Sequence, residues 1–203
     1  MASDVKSSSD PLPDEGTIGE ISDLEVQDAE GVKKPFRSLY DPDGETASKK
    51  QLIIFIRHFY CGHCEDYVRA LSSDEALKSS STVAVTIIGC GQPSVISDYY
   101  KRTNCAYPIY SDPHRRIYAA LKLVENLDLG DKKPGYIKSG FVCGTLSSAW
   151  NMFSSGKKGL QGGAYNQNGG EFVVEAGAVK WCHRMKNTRD HAEVEELKEV
   201  LGL

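Results

Sequence analysis

Two cysteines three residues apart, in Cys61-Gly62-His63-Cys64, follow almost directly on the apolar run Leu52-Ile53-Ile54-Phe55-Ile56. A thiol at a helix start meets unpaired backbone N–H groups and the positive end of the helix dipole, and both favour the thiolate. A spacing of three sets Cys64 one turn further along nearly the same face, where two sulfurs can bond. This arrangement permits attack by one thiolate on an oxidised atom, followed by disulfide formation with the second thiol. Cys61, at the helix start, is expected to be the more exposed and the nucleophile; Cys64 lies deeper and resolves. A helix terminus contributes only about 0.3–1 kcal/mol, less than one pKa unit. Further positive charge is therefore needed. His63 when protonated, and Arg57 and His58 at the end of the preceding strand, are the candidates, opposed by the first-turn anions Glu65 and Asp66. The expected outcome is a moderately lowered Cys61 pKa. An inert buried pair is the competing reading, and the strand–helix junction weighs against it. Zinc would need two more ligands, with His58, His63 or Cys182-His183 on offer, but no second C-x-x-C or H-x-x-x-H exists, so no metal is expected.

The elements that must hold this pair are legible from periodicity. Gln51–His58 reads as a central strand apolar on both faces, and Gly62–Leu71 as the helix after it. Leu24–Gln27 and Lys34–Leu39 suggest a hairpin turning at Glu30-Gly31. Thr82–Gly89 is a second apolar strand, Pro93 opens a helix, and Pro108-Ile109-Tyr110 is a short strand. Asp112 is expected to cap, with Pro113 in the first position, a helix carrying Ile117, Ala120, Leu121 and Val124. Thr145–Ser154 can form a short helix with Leu146, Trp150 and Phe153, and Gly156–Gly170 is a long loop of the kind that often serves function. Glu171–Val174 and Val179–His183 form a second hairpin, and Asp190 is expected to cap a closing amphipathic helix with Val194, Leu197, Val200 and Leu201. The pattern predicts an α/β sandwich with a mixed central sheet flanked by helices. Residues 1–16, rich in Ser, Asp and Pro, read as a disordered tail, leaving 17–203 as one domain.

The 203-residue chain is 40% hydrophobic with a net charge of −4, and its basic residues are scattered, which disfavours nucleic-acid binding. No stretch approaches a membrane span, and the N-terminal segment lacks the apolar core of a secretory signal. A cytoplasmic, reducing location is expected. There Cys90, Cys105, Cys143 and Cys182 would be buried thiols rather than a disulfide framework.

With these motifs in order, the chain resembles the peroxiredoxin-like 2 family, an AhpC/TSA-type branch of the thioredoxin-fold superfamily. The likeness runs from about Leu24 to Leu201. It is carried by Asp28-Ala29-Glu30-Gly31, Ile56–Cys64, Asp112–Tyr118, Gln161-Gly162-Gly163, Gly169–Val173, His183-Arg184 and Thr188-Arg189-Asp190-His191. The resemblance implies a thioredoxin-like fold, a redox-active cysteine pair, and reduction of an organic peroxide, an endoperoxide or a disulfide. No bound cofactor is implied; an external thiol donor, thioredoxin or glutathione, would regenerate the pair. It also raises Arg184 to a candidate binder of peroxide oxygen, while Arg189-Asp190-His191 reads as a cap tying the hairpin to the last helix. Trp150, Phe153 and Tyr165 are core residues or, alternatively, walls of an apolar pocket over Cys61. Ordinary peroxiredoxins carry P-x-x-x-T-x-x-C, whereas Arg57-His58-Phe59-Tyr60 precede Cys61 here; Gly169-Gly170 stand where thioredoxins place a cis-proline. Two other functions fit the same residues: a redox-responsive binding protein with little turnover, and a thiol-dependent isomerase or reductase acting on a biosynthetic metabolite.

Overall fold

The computed structural model describes residues 10–40, 49–137 and 156–203. Helix α1 (Glu15–Ser22) leads to the hairpin β1 (Glu25–Gln27) and β2 (Lys33–Pro35). Next come β3 (Lys50–Phe55), α2 (Gly62–Ser73), α3 (Glu75–Ser79), β4 (Val83–Gly89), α4 (Ile96–Thr103), β5 (Ile109–Ser111) and α5 (Arg116–Ala120). The hairpin β6 (Gly170–Glu175) and β7 (Ala178–Arg184) and the helix α6 (Val194–Leu201) close the chain. The strands form a seven-stranded sheet in the order β2-β1-β5-β4-β3-β6-β7. Strands β3, β4 and β5 run parallel, and the remaining pairs are antiparallel. Parallel neighbours need a crossover, which α2–α3 and α4 supply. The thioredoxin-like α/β sandwich expected from the sequence is the architecture found.

Strand β3 shows why its sequence is apolar throughout. Leu52 and Ile54 pack on one face with Val68 and Leu71 of α2, Ile96 of α4 and Leu197 of α6. Ile53 and Phe55 pack on the other with Ile21 of α1 and Ile117 of α5. Strand β6 lies antiparallel beside it with Glu171 opposite Ile54. Phe172 and Val174 join the α1 side and Val173 the α2 side, so Glu171 faces α2. The same register sets Gly169 against β3: a Cβ there would overlap the Phe55 carbonyl.

Four boundaries differ from expectation. The strand expected over Lys34–Leu39 ends at Pro35, and Phe36–Leu39 form a 3-10 turn. The Asp112 carboxylate accepts the Arg116 and Ile117 N–H groups, so Pro113 lies in a turn and α5 begins three residues later. Glu193 precedes α6; Asp190 instead accepts the Lys186 N–H through its carboxylate and meets the His183 ring through its carbonyl, tying the approach segment to β7. The expected tail is ordered from Asp10: its carboxylate accepts the Arg184 N–H at 2.8 Å, and Asp14 caps α1 through the Thr17 N–H. Segment 1–9 and the helix expected at 145–154, with Trp150 and Phe153, lie outside the described residues. Among the described residues, no helix is long and apolar enough to cross a membrane.

Candidate active site

Cys61 is the N-cap of α2 with extended backbone angles, and its sulfur accepts the Cys64 N–H at 3.4 Å. A cap's acceptor meets donors that have no partner inside the helix, which is the physical basis of thiolate stabilisation there. Arg57, just beyond β3, donates from Nη1 to the Cys61 sulfur at 3.4 Å. Its remaining donors fix the guanidinium: Nε bonds Asn168 Oδ1 at 3.0 Å and Nη2 bonds the Tyr165 carbonyl at 2.6 Å. The arginine is thus aimed by the 156–170 loop. That loop is itself pinned by the Phe59 N–H to the Gly162 carbonyl and the Gln92 N–H to the Gln161 carbonyl.

Burial pushes the Cys61 thiol up, but the Cys64 thiol and N–H and the Arg57 charge outweigh it and hold it well below the usual thiol range. His58 would add charge only when protonated, and burial holds its pKa at about 4. Its Nδ1 accepts the Tyr60 N–H, and its ring lies edge-on to Tyr165. His63 is also held below its ordinary value by burial, so it is a neutral ring near pH 7, not the expected cation. Arg57 is left as the cation of the site. The opposing anions are neutralised: Glu65 accepts from Arg69 and Arg102, and Asp66 pairs with Arg69. Burial pushes the Cys64 thiol well above its usual range, and the Cys61 sulfur adds to this.

The expectation of an exposed Cys61 is corrected, since only 2% of the residue is accessible and Cys64 is fully buried. Phe59, Tyr60 and Tyr67 of the apolar core surround the pair. Arg184 is not brought to it: its guanidinium donates to the Leu121 and Pro11 carbonyls and lies over the Phe172 ring, on the α1 side of the sheet. Tyr165 contributes its carbonyl to Arg57, and the residue is 40% exposed. Among the described residues, no group of three or more His, Cys, Asp or Glu is placed to hold a metal ion.

One neighbour was read differently in the sequence. His191, taken with Arg189 and Asp190 as a helix cap, is buried with Nε2 3.4 Å from the Cys64 sulfur and Nδ1 2.5 Å from Glu171 Oε1. Its ring stacks on Tyr67 at 4.3 Å and 10°. The available signal was Glu171 itself, an acid beside Phe172-Val173-Val174 in a strand buried on both faces, which requires a buried partner.

Comparison with known proteins bears on the family and the fold. Residues 70–187 match the family model described as AhpC/TSA antioxidant enzyme. The matched segment begins after Cys64. Similar proteins include peroxiredoxin-like 2C of Homo sapiens, 28% identical over 94% of this chain and 84% of the relative. The Takifugu rubripes peroxiredoxin-like 2C is 30% identical over 92% and 82%. A thioredoxin-like protein of Arabidopsis thaliana, AAED1, named chloroplastic, is 25% identical over 90% and 71%. Two solved structures share the fold: the bacterioferritin comigratory protein of Xanthomonas campestris has a TM-score of 0.54 at 10% identity, covering 88% of this chain and 87% of that one. A peroxiredoxin-like protein of Aquifex aeolicus has 0.55 at 13%, covering 88% and 81%. By its matched segment and these relatives, the chain belongs to the AhpC/TSA antioxidant-enzyme family, in its peroxiredoxin-like 2 branch.

Proposed function

We propose that this protein is a thiol-dependent reductase in which Cys61 attacks and Cys64 resolves. The observation that carries the reading is the Arg57 guanidinium, anchored by Asn168 and the Tyr165 carbonyl and donating to the Cys61 sulfur at the start of α2. A fixed cation beside a thiol keeps it ionised at neutral pH, where it is nucleophilic. With an organic hydroperoxide, the Cys61 thiolate takes the terminal hydroxyl as the O–O bond breaks; a sulfenic acid remains, and the departing alkoxide takes a proton from solvent. Cys64 then attacks the Cys61 sulfur, water leaves, and the Cys61–Cys64 disulfide forms. Two thiols of an external donor, thioredoxin or glutathione, reduce it again. With only 2% of Cys61 accessible, a small O–O substrate is favoured over an extended polypeptide disulfide. Arg57, already donating to the sulfur from Nη1, is also placed to donate a hydrogen bond to the departing oxygen. A cytosolic setting, where thiol donors are abundant, suits this cycle.

The test is steady-state reduction of an organic hydroperoxide, hydrogen peroxide and a small disulfide, with thioredoxin or glutathione as donor. Turnover of the organic hydroperoxide that vanishes in Cys61→Ser is the expected result. Absence of turnover with all three oxidants under both donors would refute the reductase reading.

A further inference from the structure

The resolving thiol is buried, and a buried thiol with a raised pKa cannot attack unless something takes its proton. We propose that His191 accepts the Cys64 proton at Nε2 while passing its Nδ1 proton to Glu171, which makes the buried carboxylate the proton sink of the resolving step. This rests on the dithiol reading above and assigns it two further residues.

The geometry is a continuous path. Cys64 Sγ, His191 Nε2, His191 Nδ1 and Glu171 Oε1 are linked by separations of 3.4 and 2.5 Å, and both the His191 and Glu171 side chains are fully buried. Each part is held in place. Tyr67 stacks on the imidazole, the His191 N–H donates to the Tyr136 hydroxyl, and the Ala192 N–H donates to Glu171 Oε2. The β3–β6 register aims Glu171 at α2, and the tie from Asp190 to β7 brings His191 in from the far side. A purely structural acid–imidazole pair would satisfy itself; here the second ring nitrogen is turned onto the reacting sulfur. Around the pair stand Cys61 and Tyr67 on α2, Arg57 beyond β3, His183 on β7, and Tyr136, Asp190 and Glu193 from the flanking segments.

The electrostatics suit a relay. Burial pushes Glu171 up to about 8 and His191 down to about 3. An imidazole that resists becoming a lasting cation passes a proton on instead of keeping it. A carboxyl near 8 holds a proton far better than an ordinary carboxylate, which narrows the gap to the buried thiol. Timing follows from charge. While Cys61 is a thiolate, it suppresses ionisation of Cys64. Once Cys61 carries the substrate fragment X, that charge is gone. The step is then Cys61–S–X plus Cys64–SH giving the Cys61–Cys64 disulfide and X as an anion. The S–X bond breaks, X takes the electron pair, and the thiol proton ends on Glu171 by way of His191; where X is the hydroxyl of a sulfenic acid, that proton passes on to it and water leaves. When Glu171 later releases that proton to solvent, the carboxylate is ready again.

The experiment separates the two half-reactions by rapid quench with dithionitrobenzoate, a chromogenic aromatic disulfide, counting the Cys61 adduct and the Cys61–Cys64 disulfide by peptide mass. In the wild-type protein, conversion of adduct to disulfide should accelerate with pH through a midpoint near 8, as Glu171 ionises, with a slower rate in heavy water. Glu171→Gln and His191→Gln should still form the Cys61 adduct but convert it roughly a hundredfold more slowly. Glu171→Gln should also shift the pH dependence upward, to that of Cys64 itself, a change that loss of packing alone does not produce. Wild-type conversion that is flat across pH 7–9, about a unit either side of the Glu171 value, or wild-type rates in both folded variants, would overturn the relay and leave the dithiol reading standing. Absence of any Cys61 adduct in the wild-type protein would overturn both.

Discussion

Arg57 and Cys61 are four residues apart in sequence but belong to different elements, and that separation makes their contact strong. The arginine leaves the end of a central strand, crosses to the helix N-terminus and meets the sulfur at 3.4 Å. The helix end alone supplies under one pKa unit of thiolate stabilisation. Replacing Arg57 by Gln should therefore raise the Cys61 midpoint by about one unit or more and slow alkylation at neutral pH roughly tenfold. Thiolate absorbance followed against pH measures it. His63→Gln makes the contrasting case. Because burial keeps that ring neutral, the same titration should barely move, whereas a shift equal to that of Arg57→Gln would restore His63 as the activating cation. Cys90, pushed up to about 11 by burial, should stay unlabelled while Cys61 reacts with a small electrophile. The cysteine pair and Arg57 were legible because adjacency along a strand–helix junction is a sequence property. The state of His63 was not, since it depends on burial contributed by distant segments.

At the scale of elements, the strands could be read because β3 and β4 are apolar runs of the right length between turn residues. The starts of α5 and α6 each lie three residues later than expected because Asp112 and Asp190 use their acceptors in turns instead of helix caps. Glu171 and His191 could not be paired from sequence at all: they are twenty residues apart and meet only through the β6–β7 hairpin. Their coupling gives a stability prediction with a definite sign. From about 4.5, the ordinary carboxylate value, to 6.5, the ordinary imidazole value, the unfolded pair holds one proton, on His191, and the folded pair also holds one, on Glu171. Their contribution is level there. Between 6.5 and about 8 the unfolded pair is empty while the folded pair still holds its proton, so stability falls as pH rises, by about 2 kcal/mol. Chemical unfolding of the wild type against Glu171→Gln should show this slope only in the wild type; parallel curves would mean that Glu171 is ionised throughout. A second element-scale test is Gly169→Ala. The added methyl would overlap the Phe55 carbonyl, so β3 and β6 must part, and unfolding should occur at markedly lower denaturant by at least about 3 kcal/mol.

At the scale of the molecule, the fold is shared with peroxiredoxins of 10–13% identity, so the architecture depends on the order and facing of its elements rather than on particular core residues. That order was legible in the sequence, and so was the place of the cysteines within it. The burial of Cys61 was not, because it is produced by packing of Phe59, Tyr60 and Tyr67 against chain that lies far away in sequence. The whole account turns on two cysteines doing different work. A single exposure of the full protein to one equivalent of an organic hydroperoxide, followed by intact mass and peptide mapping, tests this directly. The wild-type protein should lose two hydrogens and carry a Cys61–Cys64 disulfide. Cys64→Ser should gain one oxygen on Cys61, as a sulfenic acid that an added thiol converts to a mixed disulfide, and Cys61→Ser should remain unchanged and leave the hydroperoxide unconsumed. Consumption of the hydroperoxide by Cys61→Ser at the wild-type rate would contradict the account.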